Sequence, residues 1–177
     1  MSGHNKWSKI KHKKAATDAA KSKVFSKLNR LITTEAKKAG GDVNSPGLKT
    51  AIEKAKKANM PGDTIDRAVK KASSDNSAEM SPVTYEAYGP GGVAIIIEGL
   101  TDNNNRTAAE IRHILSKNGL ELAATGSASW AFTKEGAEWT PNTTVAISDD
   151  DAEKLGRIVE ALEDNDDVQD VYTNAAE

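Results

Sequence analysis

Between residues 73 and 81 the hydrophobic pattern changes its period, so no single regular architecture accommodates both sides. Before this stretch, apolar residues recur every three or four positions. Beyond it, they come in short alternating or continuous runs. The stretch itself, Ser73–Ser81, is rich in Ser, Asp and Asn and reads as a linker. The expected organisation is therefore a helical domain over 1–72, a linker over 73–81 and a mixed domain over 82–177.

The first part reads as three helices. Ala20, Val24, Leu28 and Leu31/Ile32 place an apolar face on a helix from about Ala15 to Ala39, with Gly40-Gly41 as its stop. Ser45-Pro46 suits an N-cap and first turn, and Leu48, Ala51, Ile52 and Ala55 give that helix its face up to about Asn59. After the turn Asn59-Met60-Pro61-Gly62, the positions Ile65, Ala68, Val69 and Ala72 predict a third helix over about 63–72. Three helices with short connections suggest a small bundle.

The second part predicts β-β-α-β-β-α-β. Strands are expected at Val83–Tyr88, Val93–Leu100, Ser127–Thr133, Thr143–Ile147 and Val168–Tyr172, and helices at Asn104–Asn118 and Asp149–Glu163. Gly89-Pro90-Gly91-Gly92 lies between two strands and lacks the Gly-Lys-Ser/Thr ending of a phosphate loop, so it reads as a hairpin turn. The expected class is α+β: an N-terminal three-helix bundle plus a ferredoxin-like α/β sandwich with an extra strand.

Charge divides at the same place. The chain has 24 Lys+Arg and 26 Asp+Glu, for a net charge of −2. Residues 1–71 hold 18 Lys+Arg against 6 Asp+Glu, or +12, and residues 72–177 hold 6 against 20, or −14. A one-signed domain of this density fits nucleic acid, because phosphate backbones reward clustered cations through counterion release. Lys6, Lys9, Lys11, Lys13 and Lys14 form a basic arm, followed by Lys21, Lys23, Lys27 and Arg30. Lys23, Lys27, Arg30 and Lys37 fall within an arc of about 80° on their helix. Trp7 and His12 lie among the lysines, where a ring can stack on a base or pack on the bundle. Lys56, Lys57, Asn59, Met60 and Arg67 extend the candidate surface over the second helix, its turn and the third helix. That helix–turn–helix is compatible with DNA reading, but Arg67 is the only base-reading side chain of note on the third helix.

Thr101-Asp102-Asn103-Asn104-Asn105-Arg106-Thr107 joins a buried strand to a helix start. Asn103, Asn105, Arg106 and Thr107 there suit either an anion or partner contact, or ordinary capping. There is no cysteine, which excludes disulfides and thiolate metal sites. The histidines His4, His12 and His113 form no ligand pair, and no nucleophile motif is present, so neither a cofactor nor an enzyme is expected. The N-terminus has no apolar h-region, and the longest strongly apolar stretch is Val93–Ile97. A cytoplasmic chain without membrane contact, and a monomer, is the expectation.

Several stretches together are specific to a family. They are Gly3-His4-Asn5-Lys6-Trp7, Lys11-His12-Lys13-Lys14-Ala15-Ala16, Asn59-Met60-Pro61 with Asp63-Thr64-Ile65, Tyr88–Ala94, Thr101–Thr107 and Leu162–Gln169. On these the chain resembles the YebC/PmpR family, which includes the mitochondrial translational activator of cytochrome c oxidase. The resemblance implies a helical first domain, α+β domains after it and a non-enzymatic role in gene expression. Bacterial members are commonly labelled transcriptional regulators that bind DNA, and others look like translation factors acting on the ribosome, including at stalling proline runs.

One departure is large. Members usually carry a third domain inserted after the strand matching Ser127–Thr133, whereas here Lys134-Glu135-Gly136 leads directly into Ala137-Glu138-Trp139. The third domain is expected to be absent near 134–139. The expected partner is nucleic acid, ribosomal RNA or DNA, with a protein partner on the acidic domain.

Overall fold

A computed structural model of the chain describes residues 18–72, 74 and 79–176. They fall into two compact units, one ending at Met80 and one beginning at Ser81.

The first unit contains helices α1 (Asp18–Ala39), α2 (Pro46–Lys57) and α3 (Gly62–Ala72). Its core is built from Leu28, Ile32 and Ala36 of α1, Leu48, Ala51 and Ala55 of α2, and Ile65, Ala68 and Ala72 of α3. The second half of α1 supplies the buried residues of this core, and Phe25 of the first half packs against it partly buried. The buried residues of α1 begin at Leu28, and Val24, expected on the apolar face, is 46% exposed. The reason is length: 22 residues span about 33 Å, against about 18 Å for α2, so α1 outruns its partners. Ser45 does occupy the N-cap of α2, but its side chain makes no capping bond there.

The α1 and α2 helices end in the same way. Gly40, with φ 61°, donates to Lys37 O, and Gly41 donates to Ala36 O. At the end of α2, Asn59, with φ 63°, donates to Lys56 O, and Met60 donates to Ala55 O at 3.0 Å. This is the Schellman closure, in which a left-handed residue at C′ lets its own N–H and that of the next residue satisfy the last carbonyls. Asn tolerates that conformation, Met60 at C″ drops its side chain into the core at 4% exposure, and Pro61 cannot continue the helix.

The second unit contains β1 (Ser81–Tyr88), β2 (Ala94–Thr101), α4 (Asn104–Lys117), β3 (Leu122–Ala123), β4 (Phe132–Glu135), β5 (Glu138–Pro141), α5 (Asp149–Glu163) and β6 (Val168–Thr173). Four strands form an antiparallel sheet of order β3-β1-β2-β6, with the β1–β2 hairpin at its centre. β2 is buried on both faces, which is why it reads as a continuous apolar run. Ile95 and Ile97 pack with Ile111 and Leu115 of α4 and Leu155 and Leu162 of α5. Ala94 and Ile96 pack on the other face with Ala128, Ala131 and Phe132. Complete burial of each isoleucine contributes about 1.5–3 kcal/mol.

The α+β class holds, with a helical first unit and a helix-on-sheet second unit. Two expected strands differ. Thr143–Ile147 supplies only a single bridge, Val145 to Ala175. Over Ser127–Thr133 the strand begins only at Phe132, after a short 3-10 turn at Ser129–Ala131. The cause is the Glu86 carboxylate, which accepts from the N–H groups of Gly126, Ala128 and Ser129 at 2.6, 3.0 and 2.7 Å. Those donors go to a side chain, so none is left for a strand ladder. The β4–β5 hairpin, turning at Gly136, occupies the stretch where Lys134 leads directly to Trp139, and pairs these two residues across it.

Candidate nucleic-acid interface

Residues 18–72 carry 13 Lys+Arg against 6 Asp+Glu, a surplus of seven positive charges. Part of this surplus belongs to helix chemistry. Each helix of the first unit ends with basic residues in its last turn: Lys37 and Lys38, then Lys54, Lys56 and Lys57, then Lys70 and Lys71. Cations there are favoured by the negative end of the helix dipole. Lys56 and Lys57 are exposed and have this structural reason to be where they are.

The first half of α1 is different. Lys21, Lys23 and Lys27 lie in it, with Arg30 just beyond, all far from the helix C-terminus, where the dipole offers a cation nothing. Lys21 is exposed, and Lys23, Lys27 and Arg30 are half-buried. Half-burial of such side chains is normal when aliphatic stems lie along a surface and the charged ends reach water. No residue of 18–27 is buried. The part of α1 ahead of Leu28 is thus mostly solvent-facing and basic, with Phe25 packing against the core.

Other candidate residues stand as follows. Lys6, Trp7, Lys9, Lys11, His12, Lys13 and Lys14 lie outside the described residues. Asn59 is exposed at the α2–α3 turn. Met60 is a correction: at 4% exposure it is part of the bundle core, and its side chain is not available to a ligand. Arg67 is exposed, and its guanidinium approaches Asp63 at 3.5 Å and the Thr64 hydroxyl at 3.3 Å. An exposed pair of that kind contributes about 0.3–0.5 kcal/mol and leaves the group within reach of solvent.

In the second candidate cluster the capping reading describes the geometry. The Asn103 side chain accepts from Arg106 N–H at 3.0 Å and caps α4. Arg106 Nη2 donates to Asp102 Oδ1 and to Asp167 Oδ2, both at 3.0 Å. The Thr107 hydroxyl donates to Asp167 Oδ2 at 2.8 Å and is buried with it. The Asp167 main-chain oxygen receives Leu100 N–H at 2.8 Å. A Cβ on Gly99 would stand 2.8 Å from that oxygen, which explains the glycine there. Asn103, Arg106 and Thr107 therefore serve the fold, and Asn105 is exposed at the first turn of α4. The strand–helix motif 101–107 and the acidic motif 162–169, far apart in sequence, form one lock between β2, α4 and β6. The hydrogen bond to Asp167 and that carboxylate's charge, with Asp102 adding to both, raise the Arg106 pKa still further.

Glu86 is a residue that sequence reasoning passed over. It is buried, which by itself would raise its pKa, but the three backbone N–H groups prevail and hold it below the usual value. The signal available was a single acidic residue inside an apolar strand.

Among the described residues, no group of three or more His, Cys, Asp and Glu is arranged to hold a metal ion. No described helix is long and apolar enough to cross a membrane.

Comparison with known proteins follows the two units. Residues 5–75 match the TACO1/YebC protein N-terminal domain, and residues 80–137 and 135–175 match the TACO1/YebC second and third domain. A "probable transcriptional regulatory protein" of Fervidobacterium nodosum is 40% identical over 235 positions, covering 98% of this chain and 93% of the relative. One of Desulforamulus reducens is 39% identical over 241 positions, covering 100% of both, against the 177 residues here. The crystal structure of a conserved hypothetical protein from Aquifex aeolicus matches with a TM-score of 0.75 at 32% identity, over 89% of this chain and 91% of that one. The chain belongs to the TACO1/YebC family.

Proposed function

We propose that this protein is a non-enzymatic regulator of gene expression that binds RNA through its basic helical unit, acting as a ribosome-associated translation factor. The observation that carries this reading is the run of cations on α1 far from its C-terminus, with Lys21, Lys23 and Lys27 ahead of the first buried residue, Leu28, and Arg30 just beyond it. The lysine-rich arm, Lys6 to Lys14, directly precedes it in sequence. Lysine is a point charge suited to phosphate, while base edges are read by Arg, Asn and Gln. Residues 18–72 have two arginines, Arg30 and Arg67, three asparagines and no glutamine, against eleven lysines. That composition favours contact with a phosphate backbone over reading of a base sequence. The second unit, with 6 Lys+Arg against 18 Asp+Glu over residues 81–177, is repelled by phosphate and is left to orient the first or to meet a protein.

Transcription control by DNA binding is the second reading, favoured by the relatives' designation as probable transcriptional regulatory proteins. The same proposal takes the relatives' extra length to be an inserted domain that this chain lacks. The β4–β5 turn would be the point of insertion, since the two matched segments meet at 135–137.

The test is co-sedimentation with ribosomes at graded salt, beside competition between a promoter duplex and random duplex. Binding that falls steeply with salt, and is lost when Lys13, Lys14, Lys23 and Lys27 become Glu, is the expected result. No binding at low salt, or undiminished binding by that variant, overturns the proposal. A strong preference for the promoter moves the assignment to transcription.

A further inference from the structure

Trp130 is 63% exposed, the most solvent-open large apolar side chain described. It does not sit on a loose loop. Its indole Nε1 donates to the Tyr88 hydroxyl at 2.8 Å, and that hydroxyl donates to Ser127 O. The backbone around it is held by Glu86 through the N–H groups of Gly126, Ala128 and Ser129. The ring is therefore fixed in orientation with its polar edge already satisfied, and an apolar face is presented to water. Preorganised tryptophans of this kind anchor interfaces, because little side-chain entropy remains to be lost on docking.

Charge selects the occupant. The unit carrying Trp130 has 6 Lys+Arg against 18 Asp+Glu over residues 81–177, which repels polyanions and attracts cations. The electron-rich face of an indole also favours a guanidinium or ammonium group. The same hairpin layer displays that chemistry internally: Lys134 Nζ lies over the Trp139 ring, 5.3 Å from its centroid. We propose that Trp130 is the anchor of a protein-docking surface that takes an arginine- or lysine-bearing segment of a basic partner, the cation lying on the indole face. The net negative charge of the unit supplies attraction, and Trp130 supplies position. This surface is separate from the RNA-binding reading and stands or falls without it.

The test uses the full chain, labelled with nitrogen-15, and a deca-arginine peptide as the probe at physiological salt. Replacement Trp130→Phe assigns the indole N–H resonance. The expected result is a saturable shift of that resonance, and about threefold to tenfold weaker peptide binding by Trp130→Ala, with an unchanged melting temperature and unchanged ribosome binding. Peptide affinity of Trp130→Ala within about twofold of the parent would mean attraction by charge alone and overturns the proposal. It is equally overturned if an oligothymidylate, rather than the peptide, moves the Trp130 resonance, or if dilution of the protein alone does.

Discussion

The two units use their polar residues in opposite ways. In the α/β unit, the side chains that look most chemical are consumed by the fold. Arg106 bridges Asp102 and Asp167, Thr107 closes onto Asp167, and Glu86 gathers three backbone donors. In the helical unit, the charges stand outside a core made of Ala, Leu, Ile and Met. The sequence-specific motifs of the second unit thus record architecture, and the plain lysines of the first are the better candidates for recognition. If this contrast is right, substitutions in one unit change binding and leave stability alone, and substitutions in the other do the reverse.

The largest effect is expected from reversing Lys13, Lys14, Lys23 and Lys27 to Glu. RNA affinity at low salt should fall by about 1,000-fold, and the dependence of log K on log salt should flatten. Thermal unfolding should be unchanged, because no residue of 18–27 is buried. Filter binding across a salt series, with calorimetry beside it, measures both. A loss of stability comparable to the loss of binding would erase the contrast.

Next comes Asp167→Ala. The carboxylate is almost fully buried, with its side chain 6% exposed, and its removal takes one partner each from the Thr107 hydroxyl and the Arg106 guanidinium, which keep Thr101 and Asp102. Unfolding of the second unit should become easier by about 1–3 kcal/mol in urea titration, with RNA affinity intact. Met60→Ala should cost the first unit about 2–3 kcal/mol, as a buried methionine truncated in a small core. Its RNA affinity, corrected for the folded fraction, should not move. Weakened binding with full stability would restore Met60 as a contact residue.

Periodicity made the helices readable, since α2, α3, α4 and α5 each bury residues at spacings of three and four. The strand β2 was readable because a strand buried on both faces is simply apolar. What could not be read were features that depend on a distant partner. The β4–β5 hairpin and the short turn before it depend on Glu86, some forty residues earlier in the chain, capturing N–H groups. Arg106 looked free for an anion because Asp167, sixty-one residues later, is invisible to local reasoning. Met60 was legible in principle, since the residue after a left-handed C′ position faces the core. On the basic surface, sequence gave the charges, but only the short reach of α2 and α3 reveals which of them lie beyond the core.

Glu86 sharpens the contrast through pH. Its folded pKa lies below the unfolded value of about 4.3, so the folded state binds fewer protons between the two. The stability it contributes is complete above the unfolded pKa and is lost as pH falls through the folded one. Glu86→Gln should cost about 1–2 kcal/mol at neutral pH, since the amide keeps one acceptor oxygen and loses the charge. The difference between variant and parent should shrink in urea titrations carried below the unfolded pKa. A difference that does not change with pH would mean the carboxylate is not held ionised by the backbone.

The smallest effect separates the two accounts of Asn59. If the residue serves helix closure, its requirement is the left-handed conformation at φ 63°, the same that Gly40 meets at φ 61° after α1. Asn59→Gly should then leave stability within about 0.5 kcal/mol, because glycine adopts the conformation without steric cost. Asn59→Val should cost about 1–2 kcal/mol, since a β-branched side chain is strained there. If the residue instead contacts RNA through its amide, both variants lose affinity equally, whatever their stability. The pair of variants therefore decides by pattern rather than size. Stability that splits glycine from valine assigns Asn59 to the turn, and affinity that falls alike in both assigns it to the interface.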